Sequence, residues 1–452
     1  MLSGQSAWKL ALVCLVGIFP VLYLLHDFEV PRLATYGFTT SDSVDSDHYG
    51  TVLPASDSLD KDSATVAPAD KIAEPLAGTS ISPPGTAIVL HKPPQRIVGL
   101  VFAGRQEYVS ILDCYLRRNL VRNGGWLDEV LWLISTPSKW DEAYLMDLVA
   151  EVPEYTSHHA SEFEPEGKKD YSARYQYCQR NTIYVKIDDD VVFFEDETIA
   201  RVVQRLIESP QYLAVSANVM NQPAMSWTQF HLDVALPFLP ELIEGPSNTD
   251  EAEDILFSSL EWRPSKLPEW RGPAQFRFSE KDPAPFKNHR WLLAKDFDLE
   301  FTPLGALGRN ANHEYVANST GWHSWAIAAQ EHYSFLTHLE NKELHRYKFD
   351  MWHMHYDRLS INFLAFRGDD IKAHPVSGSD EHYLTVTLPL RLRRPVVIEG
   401  QGLAVHFGFH RQVYGHGGVK GRALNDTDLI LRYKKYAEEF VCNRPWGSPM
   451  YP

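Results

Sequence analysis

The 452-residue chain predicts an α/β fold, a doubly wound, Rossmann-like mixed sheet with an irregular insertion, preceded by one transmembrane helix and a disordered stem. Three observations carry that expectation. Between residues 96 and 217 short apolar runs alternate with segments whose apolar residues recur at helical spacing, as βαβ units require. Residues 182–194 form a near-continuous apolar run that holds three consecutive carboxylates, Asp188, Asp189 and Asp190, which suits a strand covered on both faces whose end meets a ligand. Ahead of both lie a 19-residue apolar stretch, 7–25, and a long polar segment without periodicity.

Residues 1–6 are a short tail, and 7–25 are apolar except for Lys9, about the length that spans a bilayer. No small-x-small cleavage pattern follows Leu25, so an uncleaved anchor is preferred to a signal peptide. Lys9 on one side with Asp27 and Glu29 on the other puts the N-terminus in the cytosol and the remainder in the lumen. The sequons at Asn318 and Asn425 agree with lumenal exposure. Residues 26–95 are rich in Ser, Asp, Pro, Ala and Thr and cannot bury enough surface to offset ordering, which makes them a flexible stem.

The folded part is expected over 96–412, with halves at 96–217 and 351–412 around an insertion at 218–350, and a C-terminal loop and helix at 413–452. Strands are expected at 96–102, 129–135, 182–194 and 212–217, and helices at 107–121, after Ser138, at 172–180 and at 198–208. A polar loop separates 158 from 169. Residues 218–290 carry frequent Pro and Trp with poor periodicity. A helix follows at 322–339, then a strand at 360–366, a helix opened by Asp380, a strand at 403–409 and a last helix at 426–440. Outside the anchor there are three cysteines, Cys114, Cys178 and Cys442, so one disulfide is possible and none is required. The formal charge of −16 argues against a nucleic-acid partner, which needs a basic face.

Chemistry is expected first at the acidic run. Alternation along a strand sends Asp188 and Asp190 to one side and Asp189 to the other, and adjacent buried carboxylates call for a compensating cation. A hard divalent ion shared with a phosphate-bearing ligand meets that need.

The anchor, the stem, the βαβα start and the run Tyr184-Val185-Lys186-Ile187-Asp188-Asp189-Asp190-Val191 resemble the GT-A-fold glycosyltransferases of the secretory pathway, and more closely a group of fungal Golgi glycosyltransferases. The resemblance spans roughly residues 96–411. It implies a Golgi membrane location, a nucleotide-sugar donor, a glycan, glycoprotein or glycolipid acceptor, and Mn2+ or another divalent cation. Asp188 and Asp190 become the ends of the metal-binding motif, Asp190 as direct ligand and Asp188 or Asp189 nearer the ribose, with His406 brought late onto the metal. Ala103, Gly104 and Arg105 lie where that fold holds base and ribose, with Thr136 a lesser candidate.

Asp380 and Glu381, at a helix start, match the position of a catalytic carboxylate, which in an inverting transfer takes the proton of the acceptor hydroxyl. The competing role is a helix cap, and Asp370 is held in reserve. Arg411 and Lys420 flank a Gly-rich loop that either closes over the diphosphate or is a solvated turn. Two other functions remain open: a nucleotidyl- or phosphotransferase using the same metal-diphosphate site, and a membrane-anchored glycan-binding or scaffold protein without turnover. No Walker loop, zincin helix or nucleophile elbow is present in the sequence.

Overall fold

Strand β1 (Arg96–Ala103) alternates in what it buries: Ile97, Val101 and Ala103 enter one apolar layer, and Val98, Leu100 and Phe102 enter the other. A strand buried on both faces belongs at the centre of a parallel sheet. It lies there, parallel to β2 (Glu129–Ile134) on one side and to β4 (Thr182–Asp188) on the other, with β3 (Tyr155–His159) beyond β2. The computed structural model describes residues 90–164, 170–243, 260–273, 276, 282–305, 324–415 and 423–451. The stretch 7–25, the stem up to residue 89, Lys420 and the Asn318 sequon lie outside the described residues. Among the described residues no helix is long and apolar enough to cross a membrane.

The connections are helical. Helix α1 (Gln106–Arg118) buries the stripe Tyr108, Ile111, Leu112, Tyr115 and Leu116. Helix α2 (Lys139–Glu151) starts on the Ser138 side chain, which accepts from the Asp141 amide, and α3 (Glu197–Glu208) buries Ile199, Val202, Val203 and Leu206.

The second half of the sheet is mixed. Strand β6 (Ala214–Met220) and the long β11 (Val396–His406) run parallel to each other. Strand β10 (Phe363–Arg367) is antiparallel to both β4 and β6 and joins the two halves. Strands β5 (Val191–Phe194) and β9 (Met351–His353) are antiparallel to β11, which completes a nine-stranded sheet: eight strands run in the order β3-β2-β1-β4-β10-β6-β11-β5, and β9 pairs with β11 off that path. Two short strands, β7 (Phe238–Pro240) and β8 (Trp291–Leu293), form a separate pair.

Several expectations are corrected. The run 182–194 is two strands: β4 stops at Asp188, Asp189 and Asp190 make a turn, and β5 pairs with β11 instead of β1. The physical reason is that the Asp189 and Asp190 carboxylates bond to Arg105 beyond the end of β1, which a continuing ladder would forbid. Residues 155–159 are an edge strand of mostly polar side chains, so no apolar alternation marks it. The helix expected at 172–180 is a 3-10 turn, Ser172–Tyr177. The irregular middle contains α4 (Pro223–His231), opened by a proline at its first position, as well as β7 and β8. Strand β11 starts at Val396, well before 403, because a register shift between Glu399 and Leu403 breaks its period.

Helix α5 (Trp325–Glu340) is buried on nearly every side, and some of its polar residues are accommodated individually: Gln330 donates to the Leu236 carbonyl and His338 bonds the Val234 carbonyl. Helix α6 (Leu429–Phe440) closes the chain against α1, and Cys442 just beyond it is disulfide-bonded to Cys114 across 328 residues. Cys178 is buried and unpaired.

Candidate functional site

The C-terminal ends of β1, β2, β4 and β11 open onto one cleft of about 730 Å3. Its wall includes Ala103, Gly104, Arg105, Thr136, Asp188, Asp189, Asp190, Asp380, Glu381 and His406. Of the residues singled out in the sequence, these ten are brought together. Arg411 lies on the short helix His410–Tyr414 at the rim but is not among the residues lining the cleft, and Lys420 is outside the described residues. Asp370 is elsewhere, paired with Arg394 at 2.7 Å. It lies outside this cleft.

The loop after β1 is shaped by a close approach. A Cβ on Gly104 would stand 2.7 Å from the Ser135 carbonyl oxygen, so only glycine lets the ends of β1 and β2 stay together. The exposed amides of that loop are then available. Asp189 Oδ2 accepts from the backbone N–H of Gly104 at 2.9 Å and of Arg105 at 3.1 Å, while the Arg105 guanidinium bonds to Asp189 Oδ1. The same guanidinium donates to Asp190 Oδ2 at 2.8 Å and lies 4.6 Å from the centre of the Tyr108 ring. The strict alternation expected for the triplet therefore fails at the turn: Asp189 and Asp190 share one arginine.

Asp188 is treated separately. Its Oδ1 is paired with the Lys186 ammonium, its Oδ2 accepts from Asn362 Nδ2 at 3.0 Å, and Lys186 also donates to the Ile361 carbonyl at 3.0 Å.

The remaining oxygen of the triplet is distinctive. Among the described residues Asp190 Oδ1 is buried without a hydrogen-bond partner, and it sits 3.4 Å from His406 Nε2, an ion-pair distance. His406 reaches that point through a register shift between Val405 and His406 in β11, and the Phe407 N–H ties the strand to the Asp190 carbonyl at 2.8 Å. Its Nδ1 bonds the Asn221 carbonyl at 3.3 Å. A carbonyl only accepts, so Nδ1 carries hydrogen and the Nε2 lone pair of the neutral ring faces Asp190.

Electrostatics follow from these contacts. Burial opposes ionisation of Asp190, but Arg105 and then His406 outweigh it and hold the carboxyl well below the usual range. Burial likewise opposes a charge on His406, and Asp190 reverses the balance, raising the imidazole above its ordinary value.

A divalent cation fits this arrangement in a defined way. An orphaned buried carboxylate oxygen and an imidazole nitrogen 3.4 Å apart can both ligate one ion at bond lengths of about 2.1 Å, with oxygens of a phosphate ligand filling other positions. Among the described residues no group of three or more His, Cys, Asp or Glu is gathered to hold an ion without such help.

Across the cleft, Ser379 caps the helix start and accepts from the His382 amide, which frees Asp380 from that task. Asp380 Oδ2 accepts from the Tyr175 hydroxyl at 3.2 Å, and Oδ1 from the Glu381 N–H at 2.9 Å. Glu381 accepts from Arg358 Nε at 2.6 Å; burial raises its proton affinity, with Arg358 opposing. Thr136 accepts from the Ser138 amide at 3.2 Å, which ties its hydroxyl to the start of α2.

The sequence reading missed Lys186, Asn362, Tyr175, Arg358 and Asn221. Lys186 had a signal, a single ammonium inside a buried apolar run; the other four come from distant segments and had none.

No family model matches the chain, and no curated protein matches it in sequence. Solved structures resemble parts of it. Mannosyl-3-phosphoglycerate synthase from Rubrobacter xylanophilus superposes with a TM-score of 0.23 at 13% identity, over 28% of this chain and 40% of its own. Glucosyl-3-phosphoglycerate synthase from Mycobacterium tuberculosis, in complex with Mn2+, uridine diphosphate and phosphoglyceric acid, does so with a TM-score of 0.23 at 15% identity, over 32% of this chain and 59% of its own. The chain thus spans about half the length of these two proteins. 4-Diphosphocytidyl-2C-methyl-D-erythritol synthase from Anaerococcus prevotii superposes with a TM-score of 0.29 at 10% identity, over 76% of this chain and 99% of that one.

Proposed function

We propose that the chain is a metal-dependent glycosyltransferase of the GT-A type, transferring a sugar from a nucleotide-sugar donor to a glycan, glycoprotein or glycolipid acceptor in the Golgi lumen. One observation carries the reading: the acidic turn Asp188 to Asp190, His406 and the helix-start carboxylates Asp380 and Glu381, widely separated in sequence, line one cleft at the carboxyl ends of the strands. The apolar stretch 7–25 and the Cys114–Cys442 disulfide support an anchored protein facing an oxidising lumen.

In this reading Asp190 Oδ1 and His406 Nε2 hold the cation, Mn2+ for preference. When bound, the ion supplies positive charge for the diphosphate of the donor. The chain supplies the rest. Arg105 spends Nε and Nη2 on Asp189 and Asp190, and among the described residues its Nη1 has no hydrogen-bond partner, which leaves a donor pair for a phosphate oxygen beside the cleft. Asp188, compensated by Lys186 and Asn362, serves the ribose as a hydrogen-bond acceptor. Glu381 is the better base of the carboxylate pair, because its burial raises its affinity for the acceptor hydroxyl proton, and Asp380 orients the acceptor. A base so placed favours inversion at the anomeric carbon.

The test is to incubate the purified protein with Mn2+ and a panel of nucleotide sugars and to measure release of nucleoside diphosphate. Release that disappears in Asp190→Ala supports the reading. Failure of every nucleotide sugar to bind, with or without Mn2+, would end it, and release of pyrophosphate would point to a nucleotidyltransferase instead.

A further inference from the structure

We propose that Asn221 is a positioning residue that fixes His406 as a metal ligand, holding its ring through the main chain and the following residue, Phe407, through the side chain; the inference rests on the metal reading above. Asn221 follows β6 and is buried, with φ at +57°, in the left-handed region that asparagine tolerates better than most residues. That backbone turn presents its carbonyl to His406 Nδ1 at 3.3 Å. Its side chain acts on the next residue. Nδ2 donates to the Phe407 carbonyl at 2.9 Å and to Gln412 Oε1 at 3.1 Å, while Oδ1 accepts from Gln412 Nε2 at 3.0 Å. Gln412 is buried as well, and its Oε1 also accepts from the Phe409 N–H at 2.9 Å.

The network leaves each amide one orientation. Flipping Asn221 would set its oxygen against the Phe407 carbonyl, and flipping Gln412 would set its NH2 against the Phe409 N–H. The main chain of Asn221 therefore selects the tautomer of His406, and its side chain holds the Phe407–Gly408 peptide, which anchors the chain directly after the register shift that brings His406 to Asp190. His332 Nε2 bonds the same Phe407 carbonyl at 2.7 Å, so that peptide is clamped from two elements. The ligand geometry of His406 is inherited from the end of β6. A hydrogen-bond partner that sets a ligand's ring orientation and tautomer in this way is typically worth about 10- to 100-fold in metal affinity.

The experiment titrates the full-length protein with Mn2+, following free ion by electron paramagnetic resonance and the bound ion by its 14N coupling to a ligating imidazole. Wild type is expected to bind Mn2+ with 14N coupling, and His406→Ala to lose that coupling. Asn221→Ala, which cannot hold the left-handed turn without strain, is expected to weaken binding by about 10- to 100-fold and to lose or shift the coupling. Asn221→Gly keeps the turn and its carbonyl but loses the side-chain grip, and is expected to fall between wild type and Asn221→Ala, as is Gln412→Ala. Should Asn221→Ala fail to fold, the glycine and Gln412 variants carry the test, with thermal unfolding as the check on folding. Absence of Mn2+ binding by wild type ends the metal reading and this proposal with it. Wild-type binding that is lost in His406→Ala but unchanged in affinity and 14N coupling in the folded Asn221 and Gln412 variants overturns the positioning role alone.

Discussion

Glu331 sits on α5 immediately before His332, the residue that clamps Phe407, and it is an unpaired acid in the core. Among the described residues its Oε2 is buried without a partner and the Ser226 side chain is a hydrogen-bonding contact, and it borders a cavity of only about 10 Å3 lined by Met220, Phe230, Leu304 and Tyr347. That space is at the lower limit for one water. Burial pushes its pKa up to about 8, from an ordinary value near 4.5. A raised acid keeps its proton in the folded state after the unfolded chain has lost it. Its share of stability is fully present below pH 4.5, declines between about pH 4.5 and 8, and is flat above. At about 1.4 kcal/mol per pH unit, the decline reaches on the order of 3 kcal/mol at pH 7. Glu331→Gln keeps the shape and a hydrogen bond to Ser226 but has no proton to lose. Urea unfolding followed by tryptophan fluorescence at pH 5 and pH 8 is the assay. The glutamine variant should exceed wild type by about 1 kcal/mol or less at pH 5 and by on the order of 4 kcal/mol at pH 8. A wild-type to variant difference of equal size at the two pH values would refute the reasoning.

Three other perturbations test neighbouring claims. Lys186→Met leaves Asp188 uncompensated and should cost about 3–5 kcal/mol in denaturant unfolding, most of it recovered in the double variant Lys186→Met/Asp188→Asn. Cys114→Ser removes the link to Cys442 and should lower unfolding stability by about 2–5 kcal/mol, while Cys178 stays unreactive toward thiol reagents until the protein unfolds, because burial pushes its thiol up to about 12. Glu381→Gln should abolish sugar transfer with donor affinity retained, read by calorimetry with a nucleoside diphosphate and Mn2+; transfer at the wild-type rate would shift the base assignment to Asp380.

The first half of the fold was legible because local pattern and tertiary role coincide there. The amphipathic stripe of α1 and the apolar runs of β1 and β2 each mark one element, and neighbours in sequence become neighbours in the sheet. The second half departs from that correspondence. Strand β10 enters the sheet between β4 and β6 from about 175 residues downstream of β4 and about 143 downstream of β6, and β5 leaves β4 after a two-residue turn to pair with β11 as the far edge. Neither choice has a local signature. The apolar content of 182–194 is the same whether it forms one strand or two, and only the partners of Asp189 and Asp190 decide between them.

The site was legible in proportion to how far each residue's partners could be inferred. Asp190, His406, Asp380 and Glu381 were marked by residue type against an apolar or helix-start background, and they face one cleft. What could not be read was the division of labour within the triplet, because it depends on cations supplied from elsewhere. Arg105 comes from the loop after β1, and Lys186 from the strand itself, where it resembles an interruption of the core. Together they neutralise most of the acidity that first suggested two metal-binding carboxylates. With Lys186 and Asn362 on Asp188, and Arg105 with the Gly104 amide on Asp189, a single oxygen, Asp190 Oδ1, is left without a partner, opposite His406 Nε2. On the proposed metal reading, the triplet therefore offers one carboxylate oxygen to an ion, its neighbours being already satisfied. The same accounting leaves the Arg105 guanidinium, held by two carboxylates of the turn, as a fixed positive charge at the cleft, which under the proposed function would meet the donor diphosphate.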